Sequence, residues 1–237
     1  MLRAYRERKN RNPALTALLY LPSRDLVARD RVCVFHHIPK CAGTSVVNAL
    51  GRWFVLKEDY RTSVDGCWCP KKRVNLQRLR NRHCLAGHFD YPGVYLRDRY
   101  PEIFTDPRYY LFTFVRDPLA AKLSLYWYEQ KHNVLPTMTI AEHLLSRDNY
   151  IAQCFPCTPD QMGKTLDRYD FVGVTEHMDE SFVQLAERLH RKPLPVAHLN
   201  ALPDGDQDLP RGLINAFRRR NELDYRIYDY AVKRLFG

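Results

Sequence analysis

Residues 31–53 read RVCVFHHIPKCAGTSVVNALGRW, and the order of residue types in this stretch decides the fold. Arg31–His37 is a short run rich in β-branched and aromatic residues, which predicts a buried strand. Ile38-Pro39-Lys40-Cys41-Ala42-Gly43 breaks that strand. Thr44-Ser45 then opens a helical spacing through Ala49, Leu50 and Trp53. The unit is strand, tight loop, helix. A loop of this kind is built to hold phosphate, because the free N–H groups and the dipole of the helix both favour an anion. Lys40 adds a point charge, and Thr44 and Ser45 add hydroxyl donors. An ordinary strand–helix turn has the same outline. The nucleoside-triphosphate loop needs G-x-x-x-x-G-K-[ST], with Lys directly before the hydroxyl residue. Here Lys40 precedes Gly43 and no Gly lies five residues ahead of it, so the stretch is not that loop.

Working outward, Cys84–Phe89 reads as a short strand ending at His88. Tyr109–Val115 (YYLFTFV) is the clearest strand in the chain, and it runs through Arg116-Asp117-Pro118 into a helical stretch from Leu119 to Lys131. Phe171–Val174 is strand-like and precedes a helical pattern from Asp179 to His190. Arg211 to Phe236 reads as a closing helical region, whereas residues 60–82 are polar, basic and irregular. Residues 193–210, with Pro193, Pro195, Pro203 and Pro210, read as loop. Strands alternating with helices predict an α/β fold: a central parallel sheet flanked by helices in three layers. Residues 1–30 form a basic N-terminal arm, and 31–237 a single domain.

The 237 residues, 45% of them hydrophobic, suffice for one globular core. The net charge of +10 favours an anionic partner: a nucleotide, a nucleic acid, an acidic polysaccharide or a membrane surface. A solvated basic face explains any single run equally well. The seven cysteines do not space like a disulfide scaffold, and no apolar run approaches a membrane span. A reducing, cytoplasmic setting is therefore expected, with contact to a membrane surface open only through the basic arm. Cys67-x-Cys69 with His83 and Cys84 matches no strong zinc template, so no metal is expected. Cys154-x-x-Cys157 lacks a thioredoxin context and is open to a loop disulfide or two free thiols. Cys41 reads as a small filler, and core packing is the default for Tyr126, Trp127 and Tyr128.

The His36–Ser45 run resembles the 5′-phosphosulfate loop of the sulfotransferase superfamily, in particular the branch that contains heparan sulfate 2-O-sulfotransferase. Phe114–Pro118 followed by Lys122–Tyr128 resembles that family's 3′-phosphate site, where an Arg at a strand end and a Ser in the next helix hold the phosphate. These positions are Arg116 and Ser124 here. Tyr169–Glu176 resembles the third characteristic strand, and Asn221–Tyr228 the start of the last helix. The resemblance implies a fold like that of the P-loop nucleotide kinases. It also implies the co-substrate 3′-phosphoadenosine 5′-phosphosulfate (PAPS), held by Pro39, Lys40, Cys41, Ala42, Gly43, Thr44, Ser45, Arg116 and Ser124. Lys40 would act at the leaving oxygen. The Gly87-His88 pair resembles the family's general base, which points to His88, with His36, His37 and His83 as rivals. That branch carries a further His two residues earlier, where this chain has Ala86. The implied reaction is sulfuryl transfer to a hydroxyl of a carbohydrate, a polysaccharide or glycolipid. Basic residues 71–82, just ahead of His88, are candidates for an acceptor cleft. Two other classes stay open: a phosphotransferase using ATP, and a non-catalytic module that binds acidic glycan. The Lys-before-Gly order argues against the first. The second accounts for the charge but not for the paired motifs, so the expected partner is a hydroxyl-bearing glycan acceptor and no nucleic acid.

Overall fold

A computed structural model describes residues 30–64, 67–69, 72–134, 137–196 and 209–237, with side chains of the short hairpin at 62–69 left aside. Apart from Asp30, the basic N-terminal arm lies outside the described residues, as does Lys71 of the third basic stretch.

The strands are β1 (Val32–His36), β2 (Val55–Asp59), β3 (Thr62–Val64), β4 (Cys67–Cys69), β5 (His83–Gly87), β6 (Tyr109–Val115) and β7 (Phe171–Val174). The helices are α1 (Gly43–Leu50), α2 (Leu96–Arg99), α3 (Pro118–Lys131), α4 (Ile140–Leu144), α5 (Met162–Leu166), α6 (Met178–Arg188), α7 (Arg211–Arg220) and α8 (Glu222–Phe236). Five strands form one sheet in the order β2-β5-β1-β6-β7, every neighbouring pair parallel. Strands β3 and β4 pair antiparallel as a separate hairpin. The expected central parallel sheet with flanking helices is therefore the fold, and its strand order is that of the nucleotide kinases.

Burial explains which strands the sequence displays. Strands β1, β5, β6 and β7 are buried along their whole length, so both faces must be apolar and they read as continuous hydrophobic runs. Strand β2 is an edge strand. Its VLKED sequence buries only Asp59 fully, and its charges blunt the open edge. For that reason it escapes a search for apolar runs, as does the β3–β4 hairpin in the stretch read as irregular. The closing helical region divides in two at Asn221, which is fully buried and donates through its side-chain amide to Phe217 O at 2.8 Å.

On one face, Phe35, Phe112 and Phe114 pack with Phe182 of α6, and Trp53 stacks on Phe182 with centroids 5.0 Å apart. On the other, the His36 ring packs against Phe89, Phe155 and Tyr169. The chain leaves β1 toward β2 and β5 but leaves β6 toward β7, on the opposite side. Adjacent strands β1 and β6 thus flank the topological switch point, where open α/β sheets place their ligands beyond the carboxyl ends.

Candidate functional site

Register brings the carboxyl ends of β1 and β5 level, while β6 runs two residues further, to Val115. His36 pairs with Gly87 of β5 and with Thr113 of β6. His37 and His88 therefore emerge side by side, and the loops that follow β1 and β6 close over the switch point.

The first loop is tight. Lys40 has φ 66° and Ala42 φ 58°, both in the left-handed region, which costs a residue with a Cβ of order 1–3 kcal/mol. Ala42 is the N-cap of α1, so no side-chain oxygen occupies the leading N–H groups, and no acid sits in the first turn. Ser45 is buried and Thr44 exposed. Lys40 Nζ lies over the ring of Tyr128, 4.2 Å from its centroid. Burial, then the charge of Arg116, pulls the Lys40 ammonium down from the ordinary lysine value. Core packing accordingly holds for Tyr126 but not for Trp127 and Tyr128, which are exposed. Burial drives the Cys41 thiol far above the thiolate range, which leaves it the small filler expected.

The second loop supplies Arg116. Its Nη1 donates to Lys40 O at 3.3 Å, which ties the two loops together. Its Nε is buried with no hydrogen-bond partner and lies 3.9 Å from Glu176 Oε1, beyond hydrogen-bond reach. Glu176 Oε1 accepts instead from Asp117 N at 3.1 Å, and burial raises the Glu176 carboxyl above its usual value. Ser124 is buried on α3, a helix that opens with Pro118 and is capped by Asp117 accepting from Ala120 N at 2.9 Å. Glu176, at the end of the Tyr169–Glu176 stretch, is a site residue to which sequence reading gave no role.

The third component is a ring cluster. His37 Nδ1 hydrogen-bonds Tyr60 OH at 3.0 Å. His88 stands edge-on to both rings, with centroids 4.3 Å from His37 and 4.9 Å from Tyr60. Its Nε2 is buried and unpartnered. Burial lowers the His88 imidazole to about 4; Asp90 opposes this and Arg61 adds to it. The two are themselves paired at 2.9 Å. The imidazole is thus displaced well below its ordinary value, and His88 is neutral throughout the physiological range.

Gly43 is required by this cluster. A Cβ there would lie 1.7 Å from His37 Nε2, inside the imidazole. Gly43→Ala must therefore expel His37 from Tyr60 and is expected to cost about 1–3 kcal/mol by overpacking. In thermal unfolding, the double variant Gly43→Ala/His37→Ala should be less destabilised than the sum of its single changes, since the second vacates the space the first needs. Additive losses would show that the contact does not govern the loop.

The rivals separate cleanly. His36 is buried, bonds Tyr169 OH at 2.8 Å and is lowered to about 3 by burial, which makes it a core residue. His83 begins β5, at the opposite end of the sheet, and accepts from Arg80 N at 2.9 Å. Arg73 lies toward the carboxyl ends, since the next residue, Val74, donates through its N–H to Tyr100 OH, which donates to Asp59 opposite Gly87. Gln77, Leu79 and Arg80 lie at the far end with His83, beside Val32 at the start of β1, so Arg78 and Arg80 are not beside His88, despite their nearness in sequence. A strand of five residues separates them, about 16 Å. Cys154 and Cys157 are free thiols. No group of three or more metal-ligating side chains occurs among the described residues, and no helix among them is long and apolar enough to cross a membrane.

Fold and site together define an α/β protein of nucleotide-kinase-like topology, with its first strand–loop–helix unit and the end of β6 meeting in one crevice. No family model matches the chain, and no curated protein matches it. Among solved structures, it is similar to a sulfotransferase from Alicyclobacillus acidocaldarius, with TM-score 0.50 and 14% identity over 85% of this chain and 95% of that one. The likeness is one of fold.

Proposed function

We propose that the protein is a sulfotransferase that moves the sulfuryl group of PAPS to a hydroxyl of a carbohydrate acceptor, a polysaccharide or glycolipid. The observation that carries this reading is the junction of the two loops: Arg116 donates to the carbonyl of Lys40 across the switch point. An uncapped helix N-terminus, a lysine and an arginine whose buried Nε makes no hydrogen bond suit a ligand with phosphate at both ends.

PAPS brings the sulfuryl group and a phosphate as its leaving group. Residues Pro39 to Ser45 would hold the 5′ end through backbone N–H groups and the hydroxyls of Thr44 and Ser45. Arg116 and Ser124 would hold the 3′-phosphate. Lys40 would offset the negative charge that grows on the leaving oxygen. The proton of the acceptor hydroxyl would pass to Nε2 of neutral His88, as the oxygen of that hydroxyl bonds to sulfur. No metal enters this scheme.

Calorimetric titration with 3′-phosphoadenosine 5′-phosphate, against ATP as control, tests the reading. Arg116→Ala is expected to weaken the product nucleotide by about 10- to 100-fold, the worth of a charge-assisted bond to phosphate. An equal preference for ATP would favour a phosphotransferase. Failure to bind either nucleotide would leave a glycan-binding module as the better account of the net charge.

A further inference from the structure

A cavity of about 260 Å³ lies between α2, α5 and the segment 154–156. None of Pro39–Ser45, Arg116, Ser124 or His88 lines it. Phe104 is part-exposed in its wall, the buried rings of Phe155 and Tyr169 lie at its base, and its cations are Arg97, Lys164 and Arg168. No carboxylate lines it. Arg97, Lys164 and Arg168 make no ion pair among the described residues. Two acids are adjacent in sequence, Asp98 and Asp167; neither is ion-paired to these cations, and Asp167 accepts a hydrogen bond from Tyr230 OH. Three uncompensated cations around an aromatic lining form a surface complementary to an anion that carries an apolar ring.

Size and packing narrow the ligand. The volume is below the ~300 Å³ at which pockets for drug-sized molecules begin, so one or two fused rings and a single anionic group fill it. Phe155 and Tyr169 are buried and meet at 73° with centroids 5.3 Å apart, so they offer ring edges and no open face for a nucleobase to stack on. We propose that this cavity is a binding site for a small aryl anion, an aromatic sulfonate, sulfate or carboxylate, separate from the nucleotide crevice. The site also touches the crevice from behind: the rings of Phe155 and Tyr169 carry His36, the residue before His37. The inference does not depend on the sulfotransferase reading.

The test uses naphthalene-2-sulfonate with the full chain, followed by calorimetry. Two further probes split its chemistry: 2-naphthol has the ring without the charge, and inorganic sulfate the charge without the ring. Naphthalene-2-sulfonate should bind at least tenfold more tightly than either. Lys164→Ala/Arg168→Ala should weaken it about tenfold, and Phe104→Ala severalfold. Arg78→Ala/Arg82→Ala, an equal loss of charge at the far end of the sheet, should leave it unchanged. The product nucleotide should not compete. Equal losses in the two double variants would reduce the effect to general basicity and overturn the proposal. So would competition by the nucleotide, tighter binding of a uridine hexanucleotide at these residues, or no binding by the unmodified chain. Because Lys164 and Arg168 are exposed, their double variant keeps the test valid even where Phe104→Ala fails to fold.

Discussion

His88→Ala is expected to lower kcat for acceptor sulfation by about 10²- to 10⁴-fold, the range for loss of a general base, while the affinity for the product nucleotide stays unchanged. The split follows from position. His88 follows β5 and packs on His37 and Tyr60, whereas the residues assigned to the nucleotide follow β1 and β6. The pH profile supplies a second readout. A histidine lowered to about 4 keeps its neutral form as pH falls, and loses it only on passing that value. The acid limb of kcat/KM should therefore lie well below 6.5, with a plateau extending down to about pH 5. An acid limb near 6.5, or a variant that keeps most of its rate, would remove His88 from the role of base.

Lys40→Ala should lower kcat by about 10²- to 10³-fold, comparable to removal of one donor from a site of developing charge. The backbone makes this a clean experiment. At φ 66° alanine has the same left-handed strain as lysine, so the substitution removes the ammonium without relaxing the loop. Lys40→Gly adds backbone freedom, and comparison of the two separates loop order from charge. Tyr128→Phe keeps the ring under Nζ and should retain the rate, while Tyr128→Leu should lose part of it. If Lys40→Ala raised KM for PAPS with kcat intact, the lysine would serve ground-state binding alone.

The buried strands were legible because a parallel strand covered on both faces has no choice but to be apolar: VCVFH, YYLFTFV and FVGV could be read directly. The edge strand Val55–Asp59 could not, since its Lys57 and Glu58 face solvent and break any pattern. The strand–loop–helix unit was legible from the order of residue types, which suits an anion loop or an ordinary turn, and Arg116 was joined to it only through resemblance. That Arg116 reaches Lys40 depends on β1 and β6 being neighbours, a relation no local pattern encodes. Tyr60 was illegible for the same reason: it follows the hidden edge strand, and its bond to His37 exists only once β2, β5 and β1 are assembled. Nearness in sequence misled at Arg78 and Arg80, which the length of β5 separates from His88, whereas Arg73 stands near the carboxyl ends through the contacts of Val74 and Tyr100 with Asp59. The downward shift of His88 likewise arises from the packing of three rings, which composition does not contain.

The parallel order of the sheet has a cost during synthesis. Strand β1 emerges early, but its partners are β5 and β6, and the second is complete only at Val115. At about 5–20 residues per second the ribosome leaves the wholly apolar Val32–Phe35 segment without both neighbours for several seconds. A nascent chain with an unpaired strand of that kind is a target for self-association and for chaperones. The yield of active protein should therefore respond to slower growth temperature and chaperone supply, even though the finished sheet seals β1 at its centre.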